Sequence, residues 1–309
     1  METRHGPRVG LALGSGSARG WAHIGVIRAL EDAGVRPNIV CGTSIGALVG
    51  AAYAAGELDR LEEWALQMRM TEVVRFMDVS PGGGLVKGER LMEFFRRHFA
   101  DRPIEELKVP FAAVATSLGT GAEIWLRRGS TLEAVRASIS VPGLFAPVRW
   151  DGALLVDGGL VNPVPVSLAR AMGADIVIAV DVGSDVLGRH LRAAPETPAS
   201  AVPTWMRQLK ENLRALAPEK PAREPAMPST VDVLCACLDI AQVRITRSRM
   251  AGEPPELVVA PRLARLRLLD FHRAKEAIEE GRRAVERVAH NLAYLHDEGL
   301  ISRADITSP

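Results

Sequence analysis

Ser44 stands between Gly42 and Gly46 in the run IVCGTSIGALVG, with β-formers before it and helix-formers after it. A hydroxyl in this setting suits nucleophilic chemistry. A strand-to-helix elbow lifts the central side chain into the open and crowds the flanking positions, where Gly42 and Gly46 remove the side chains that would clash. Downstream, Ala47–Ala55 is apolar all round and predicts a buried helix, whose unpaired N-terminal N–H groups and dipole favour negative charge beside Ser44. A G-x-S-x-G match arises readily by chance, so the surrounding elements must separate a site from an ordinary buried turn.

A serine nucleophile needs donors for the developing oxyanion and a base for its proton. The donors are sought in Gly14-Ser15-Gly16-Ser17-Ala18-Arg19-Gly20, a small-residue loop between the first predicted strand, Val9–Leu13, and the first predicted helix, Trp21–Ala33. Strand, glycine loop and helix also describe a dinucleotide site. Here, however, the third glycine of G-x-G-x-x-G falls on Arg19, and the Gly42–Gly46 elbow replaces the acid due at the end of the second strand. None of the seven histidines lies in a Gly-rich loop after a strand, and His23, the nearest, falls inside the first helix, where packing or capping accounts for it. A carboxylate is the other choice of base. Asp157 closes a predicted strand, Leu154–Val156, and is followed by Gly158, Gly159 and the rigid Asn162-Pro163-Val164-Pro165. Asp151 sits in Arg149-Trp150-Asp151-Gly152, which is hairpin-turn chemistry. Asp157 is favoured, with Asp181, at the end of another strand, as the remaining competitor.

The elements that must position these residues alternate short apolar strands with helices, the pattern of an α/β domain with a mainly parallel sheet. Further strands are predicted at Ile39–Cys41, Phe111–Thr116, Glu123–Leu126, Ile176–Val180 and Leu257–Val259, and helices at Ile45–Ala55, Gly88–Phe99 and Leu132–Ser138. One long helix is predicted from Ala274 to about His296, packing on the sheet through Ile278, Gly281, Val285, Val288, Leu292 and Leu295. Between Gly188 and Pro228 the chain is rich in proline and reads as an insert, giving a core over 9–183, an insert or cap over 184–228, and 229–309 completing the same domain. Within the insert, PTWMRQLKENLRALAP has the stripe of one amphipathic helix, which docks on its own protein or, in the functional alternative, touches a lipid surface.

Composition narrows the classes. With 309 residues, 47% hydrophobic and a formal net charge of +1, the chain is globular and does not bind nucleic acid by bulk electrostatics. No stretch approaches the roughly 18 apolar residues of a membrane span, and the beginning lacks a signal-peptide layout. The expected location is therefore cytoplasmic, with peripheral contact at the inner membrane surface as the added option. The three cysteines, Cys41, Cys235 and Cys237, form no disulfide framework and no metal spacing, and are read as buried thiols.

The blocks GSGSARGWAHIGV, GTSIG, ASISVPGLFAPV and DGGLVNPVP, in this order, resemble those of bacterial patatin-like phospholipases, near the branch related to the esterase domain of neuropathy target esterase. GGLVKGERL, ITRSRMAGEPPELVVAP and LLDFHRAKEAIEEG fit that branch too, so the resemblance runs from about residue 9 to about residue 285. It implies a three-layer α/β/α patatin-like fold with a mainly parallel central sheet, and a Ser–Asp dyad without histidine, Ser44 as nucleophile and Asp157 as partner. It also implies an oxyanion hole of backbone N–H groups from the loop Gly14–Gly20, around Gly16, Ser17 and Ala18. Ser15 and Ser17 stand where the commonest G-G-G-x-R-G form of that loop has glycine, and Arg19 holds the family's arginine position, read as shaping the loop. The implied substrate is a fatty acyl ester of a phospholipid, a lysophospholipid or a simple alcohol, cleaved through an acyl-enzyme without metal or cofactor.

An ordinary aspartate is a feeble base at neutral pH, so burial is expected to raise the proton affinity of Asp157. Pocket walls are expected from Met68–Val86 and from the insert. Two alternatives stand beside the lipid hydrolase: an idle lipid-binding or scaffold protein that keeps the fold, and an enzyme acting on protein-bound or thioester acyl groups. Oligomeric state is not legible in the sequence.

Overall fold

The computed structural model describes residues 6–76, 89–99, 101–142, 144–185 and 230–301. The predicted amphipathic helix of the insert lies outside them. Eight strands form one sheet: β1 (Val9–Leu13), β2 (Ile39–Thr43), β3 (Phe111–Ser117), β4 (Glu123–Leu126), β5 (Val148–Trp150), β6 (Ala153–Asp157), β7 (Ile176–Val180) and β8 (Leu257–Val259). Their order is β5-β6-β3-β2-β1-β7-β8, with β4 paired to β3 off this path. The pairs β1–β2, β1–β7, β2–β3 and β7–β8 are parallel, whereas those of β3 with β4 and β6, and of β5 with β6, are antiparallel.

The registers on β3 fix the geometry that matters most. Ala113 and Val114 pair with both β2 and β4, and Ala115 pairs with both β4 and β6. A residue has one neighbour per edge, so β2 and β6 share the edge opposite β4, one taking over where the other stops. Because β2 runs parallel to β3 and β6 antiparallel, their C-terminal ends meet head to head. Thr43 pairs with Val114 and Asp157 with Ala115, adjacent positions on one strand. The residue after β2 and the last residue of β6 are thereby brought together by backbone pairing alone.

Helices cover both faces: α1 (Ala22–Asp32), α2 (Ile45–Ala55), α3 (Leu58–Gln67), α4 (Met70–Phe76), α5 (Glu89–His98), α6 (Thr131–Ser138), α7 (Val166–Ala171), α8 (Thr230–Gly252), α9 (Ala274–Glu286) and α10 (Ala289–Asp297). Strand residues alternate between two buried layers. Leu11, Val40, Ala113 and Ile178 pack with α1, α2 and α9, whereas Ala12, Cys41, Val114 and Val177 pack with α7. The result is a mixed, mostly parallel sheet between two helical layers. Helices α1 and α9 approach backbone to backbone: a Cβ on Gly25 would lie 1.9 Å from the Ile278 carbonyl oxygen, and one on Gly281 would lie 2.1 Å from that of Ala22.

Four expectations need correction. The single helix from Ala274 to His296 is two, α9 and α10. Its turn tightens where the Val288 N–H reaches the Val285 carbonyl, and Val288 leaves helical geometry at φ −109°, which keeps Val285, Leu292 and Leu295 all buried. The first helix starts as a 3-10 turn, Ser17–Trp21, before α1. Strand β5 is unforeseen, being three partly exposed residues that pair with β6 through the Asp151-Gly152 turn, where both φ angles are positive. Cys237 is exposed on α8, not buried, while Cys41 is buried as expected. Among the described residues no helix is long and apolar enough to cross a membrane.

Candidate active site

Ser44 caps α2 at φ 57°, ψ −125°, a conformation that few residues other than glycine adopt. The flanking glycines are required by close approach: a Cβ on Gly42 would meet the Gly46 carbonyl oxygen at 2.3 Å, and one on Gly46 would meet that of Leu13 at 2.2 Å. The strained turn is anchored from outside. Ser138 Oγ accepts the Ser44 N–H at 2.8 Å and donates to the Val114 carbonyl at 2.6 Å, while Thr43 Oγ1 donates to the Asn162 carbonyl at 2.8 Å.

The Ser44 hydroxyl donates to Asp157 Oδ2 at 2.5 Å, and both side chains are buried. The other carboxylate oxygen, Oδ1, accepts the Gly159 N–H at 2.7 Å. Burial pushes the Asp157 carboxyl up to about 6, against the pull of the Ser44 and Gly159 hydrogen bonds, which favour its charged form. A carboxylate tuned to that range is mostly ionised at neutral pH yet still holds a proton usefully. Asp151 is exposed in its turn, and Asp181 accepts the Gly183 N–H; neither bonds Ser44. His23 lies in α1 as expected, buried, with Nε2 2.7 Å from the Gly14 carbonyl oxygen. Burial lowers its pKa to about 4, so it stays neutral and donates that bond.

The loop Gly14–Gly20 leaves the C-terminal end of β1, beside the end of β2, where open parallel sheets place their ligands. Four of its N–H groups are committed: Gly14 to the Val180 carbonyl, Ser15 to Pro163, Ala18 to Leu268 and Arg19 to Gly16. Those of Gly16 and Ser17 have no partner among the described residues. Ser17 adopts a positive φ of 51° and its hydroxyl donates to the Leu268 carbonyl at 2.6 Å, so a serine at this glycine position is held by its own side chain.

Ser17 and Ser44 open onto a cavity whose remaining wall is apolar. Trp21, Trp64 and Phe95 stiffen it: Trp64 meets Trp21 edge-on at 5.8 Å and Phe95 at 5.5 Å between ring centroids. Met68 and Val73 belong to the wall, as the sequence suggested for that stretch, whereas residues 77–88 lie outside the described ones. Such a cavity suits an unbranched hydrocarbon chain, each buried methylene of which is worth about 0.8 kcal/mol.

Sequence reasoning missed two residues on α8. Asp239 Oδ1 accepts from Arg19 Nη2 at 2.7 Å, and Gln242 Oε1 accepts from Ser15 Oγ at 2.9 Å. No helix was foreseen over 230–252, because its charged and apolar residues alternate without a single clear stripe. The only signal was indirect: an arginine read as shaping the loop calls for a carboxylate partner from elsewhere in the chain.

Residues 11–170 match the family model described as patatin-like phospholipase. An uncharacterised NTE family protein of Mycobacterium bovis is 34% identical, the alignment covering 89% of each chain. Patatin-like phospholipase domain-containing protein 6 of Homo sapiens is 41% identical over 58% of this chain and 14% of its own length. Protein 7 of the same series from Mus musculus is 39% identical over the same shares.

Proposed function

The chain belongs to the patatin-like phospholipase family, and on that premise we propose that it is a serine acyl hydrolase that cleaves fatty acyl esters of lipids through Ser44 and Asp157. One observation carries the reading: a hydroxyl donating at 2.5 Å to a carboxylate whose pKa is pushed up to about 6, at the wall of an apolar cavity.

Asp157 takes the proton of Ser44 as Oγ bonds to the ester carbonyl carbon. The carbonyl electrons move onto oxygen, which accepts hydrogen bonds from the N–H groups of Gly16 and Ser17. Each such donor is worth about 3 kcal/mol in the transition state. When the tetrahedral species collapses, the ester C–O bond breaks and Asp157 returns its proton to the departing alcohol, leaving the acyl chain on Ser44 and in the cavity. Water then bonds to the acyl carbon as Asp157 takes its proton. The second tetrahedral species collapses by breaking the bond to Ser44 Oγ, which recovers the proton from Asp157, and the fatty acid leaves.

A panel of p-nitrophenyl esters and phospholipids, given to wild type, Ser44→Ala and Asp157→Asn, tests the reading. Release by wild type, with both variants slowed about a hundredfold or more, is the expected result. Equal release by all three, or none by wild type on any substrate, overturns it.

A further inference from the structure

The loop Gly14–Gly20 faces the cavity on one side and α8 on the other. Arg19 is almost completely buried, and among the described residues its Nε and Nη1 find no partner. The guanidinium is therefore compensated through Nη2 by Asp239, itself buried. One helical turn along, Gln242 accepts the Ser15 hydroxyl, and the same amide lies beside Gly159. A Cβ on Gly159, whose N–H holds Asp157, would lie 2.5 Å from Gln242 Nε2 and 3.0 Å from Ser15 Oγ. Farther along α8, Arg249 Nη2 donates to Glu123 Oε2 at 2.6 Å. Glu123 Oε1 accepts from Asn162 Nδ2 at 2.7 Å, and the Asn162 carbonyl accepts from Thr43, the residue before Ser44.

We infer that Asp239 and Gln242 are positioning residues, through which α8 fixes the N–H groups of Gly16 and Ser17 relative to Ser44 and Asp157. The inference rests on the proposed acyl-transfer reading. It assigns a role in the chemistry to a helix beyond residues 11–170, the span of the family match. Ser17 is held through Leu268, whereas Ser15 and Arg19, which flank the two free N–H groups, are held through α8, and loop conformation sets where those groups point. Among the described residues α8 contributes nothing to the apolar cavity wall, so its contacts act on reaction geometry and not on the acyl chain.

The test is a double-mutant cycle on ester hydrolysis with Ser15→Ala and Gln242→Met, which delete the two ends of one hydrogen bond while keeping backbone and volume. Each single variant lowers kcat by between about ten- and a hundred-fold with KM unchanged within about twofold, as a slightly misplaced site does. The double variant is no worse than either single one. Asp239→Asn lowers kcat further, and Asp239→Glu recovers part of the loss. Single variants with wild-type kcat, losses that multiply in the double variant, or losses confined to KM overturn the inference. The cycle does not depend on Asp239→Asn remaining folded. A wild type that hydrolyses no ester contradicts the acyl-transfer reading itself, which separates the two failures.

Discussion

Ser44 lies between two buried regions of opposite chemistry. On one side Trp21, Leu48, Trp64 and Phe95 line an apolar cavity held by ring contacts. On the other, Arg19, Asp239, Gly159 and Asp157, with the half-buried Gln242, form a polar layer held by directional bonds. The apolar wall gains free energy in proportion to the area it covers and tolerates changes of shape. The polar layer gains little on balance and loses much when one partner is removed. Regions so built should separate in kinetics, the cavity governing how well a chain binds and the polar layer how fast it reacts.

The largest effect expected is at the nucleophile. Ser44→Ala removes the bond-forming atom and lowers kcat by about 10⁴-fold or more, with chain binding in the cavity retained, measurable by p-nitrophenyl ester release and by binding of a fluorescent fatty acid. Loss of chain binding in that variant would break the division into two regions. Asp157→Asn keeps a partner for the hydroxyl but removes the base, and lowers kcat by about 10²- to 10⁴-fold in the same assay.

The same variant sharpens the comparison through stability. The Asp157 carboxyl stands at about 6 in the native protein against an ordinary 3.8, so between these values the folded chain holds a proton that the unfolded chain has lost. Stability therefore falls as pH rises through that window, by an amount on the order of 3 kcal/mol. Asparagine carries no such cost, and Asp157→Asn melts higher than wild type at pH 8, the difference shrinking toward pH 4. A lower melting temperature at pH 8 would show that the charged carboxylate stabilises the fold. The smallest effect belongs to the cavity: Leu48→Trp fills space near Ser44, raising KM for long-chain esters about tenfold while butyrate esters keep their kcat.

The polar layer was also the less legible region. Ser44, its glycines and Asp157 could be read because a sharp turn and a strand end leave local signatures in residue type and spacing. The bond between Ser44 and Asp157 depends on residues 113 positions apart returning to the same edge of β3, which no local pattern specifies. Strands buried on both faces showed as apolar runs, whereas β5 was too short and too exposed to do so. Residues 230–252 betray neither their helix nor the inward aim of Asp239 and Gln242, since a polar residue facing a buried partner looks in sequence like one facing water. Gly281 entered the reading as one more position in an apolar stripe, but its reason is the close approach of the α1 backbone.

The most direct test is the rate at which a fluorophosphonate modifies Ser44 as a function of pH, followed by peptide mass spectrometry on wild type and Asp157→Asn. A single adduct on Ser44, forming faster as pH rises through about 6 in wild type and slowly without that dependence in the variant, is the predicted outcome. An adduct on another residue, or equal rates in both proteins across the range, would contradict a hydroxyl activated by its neighbouring carboxylate.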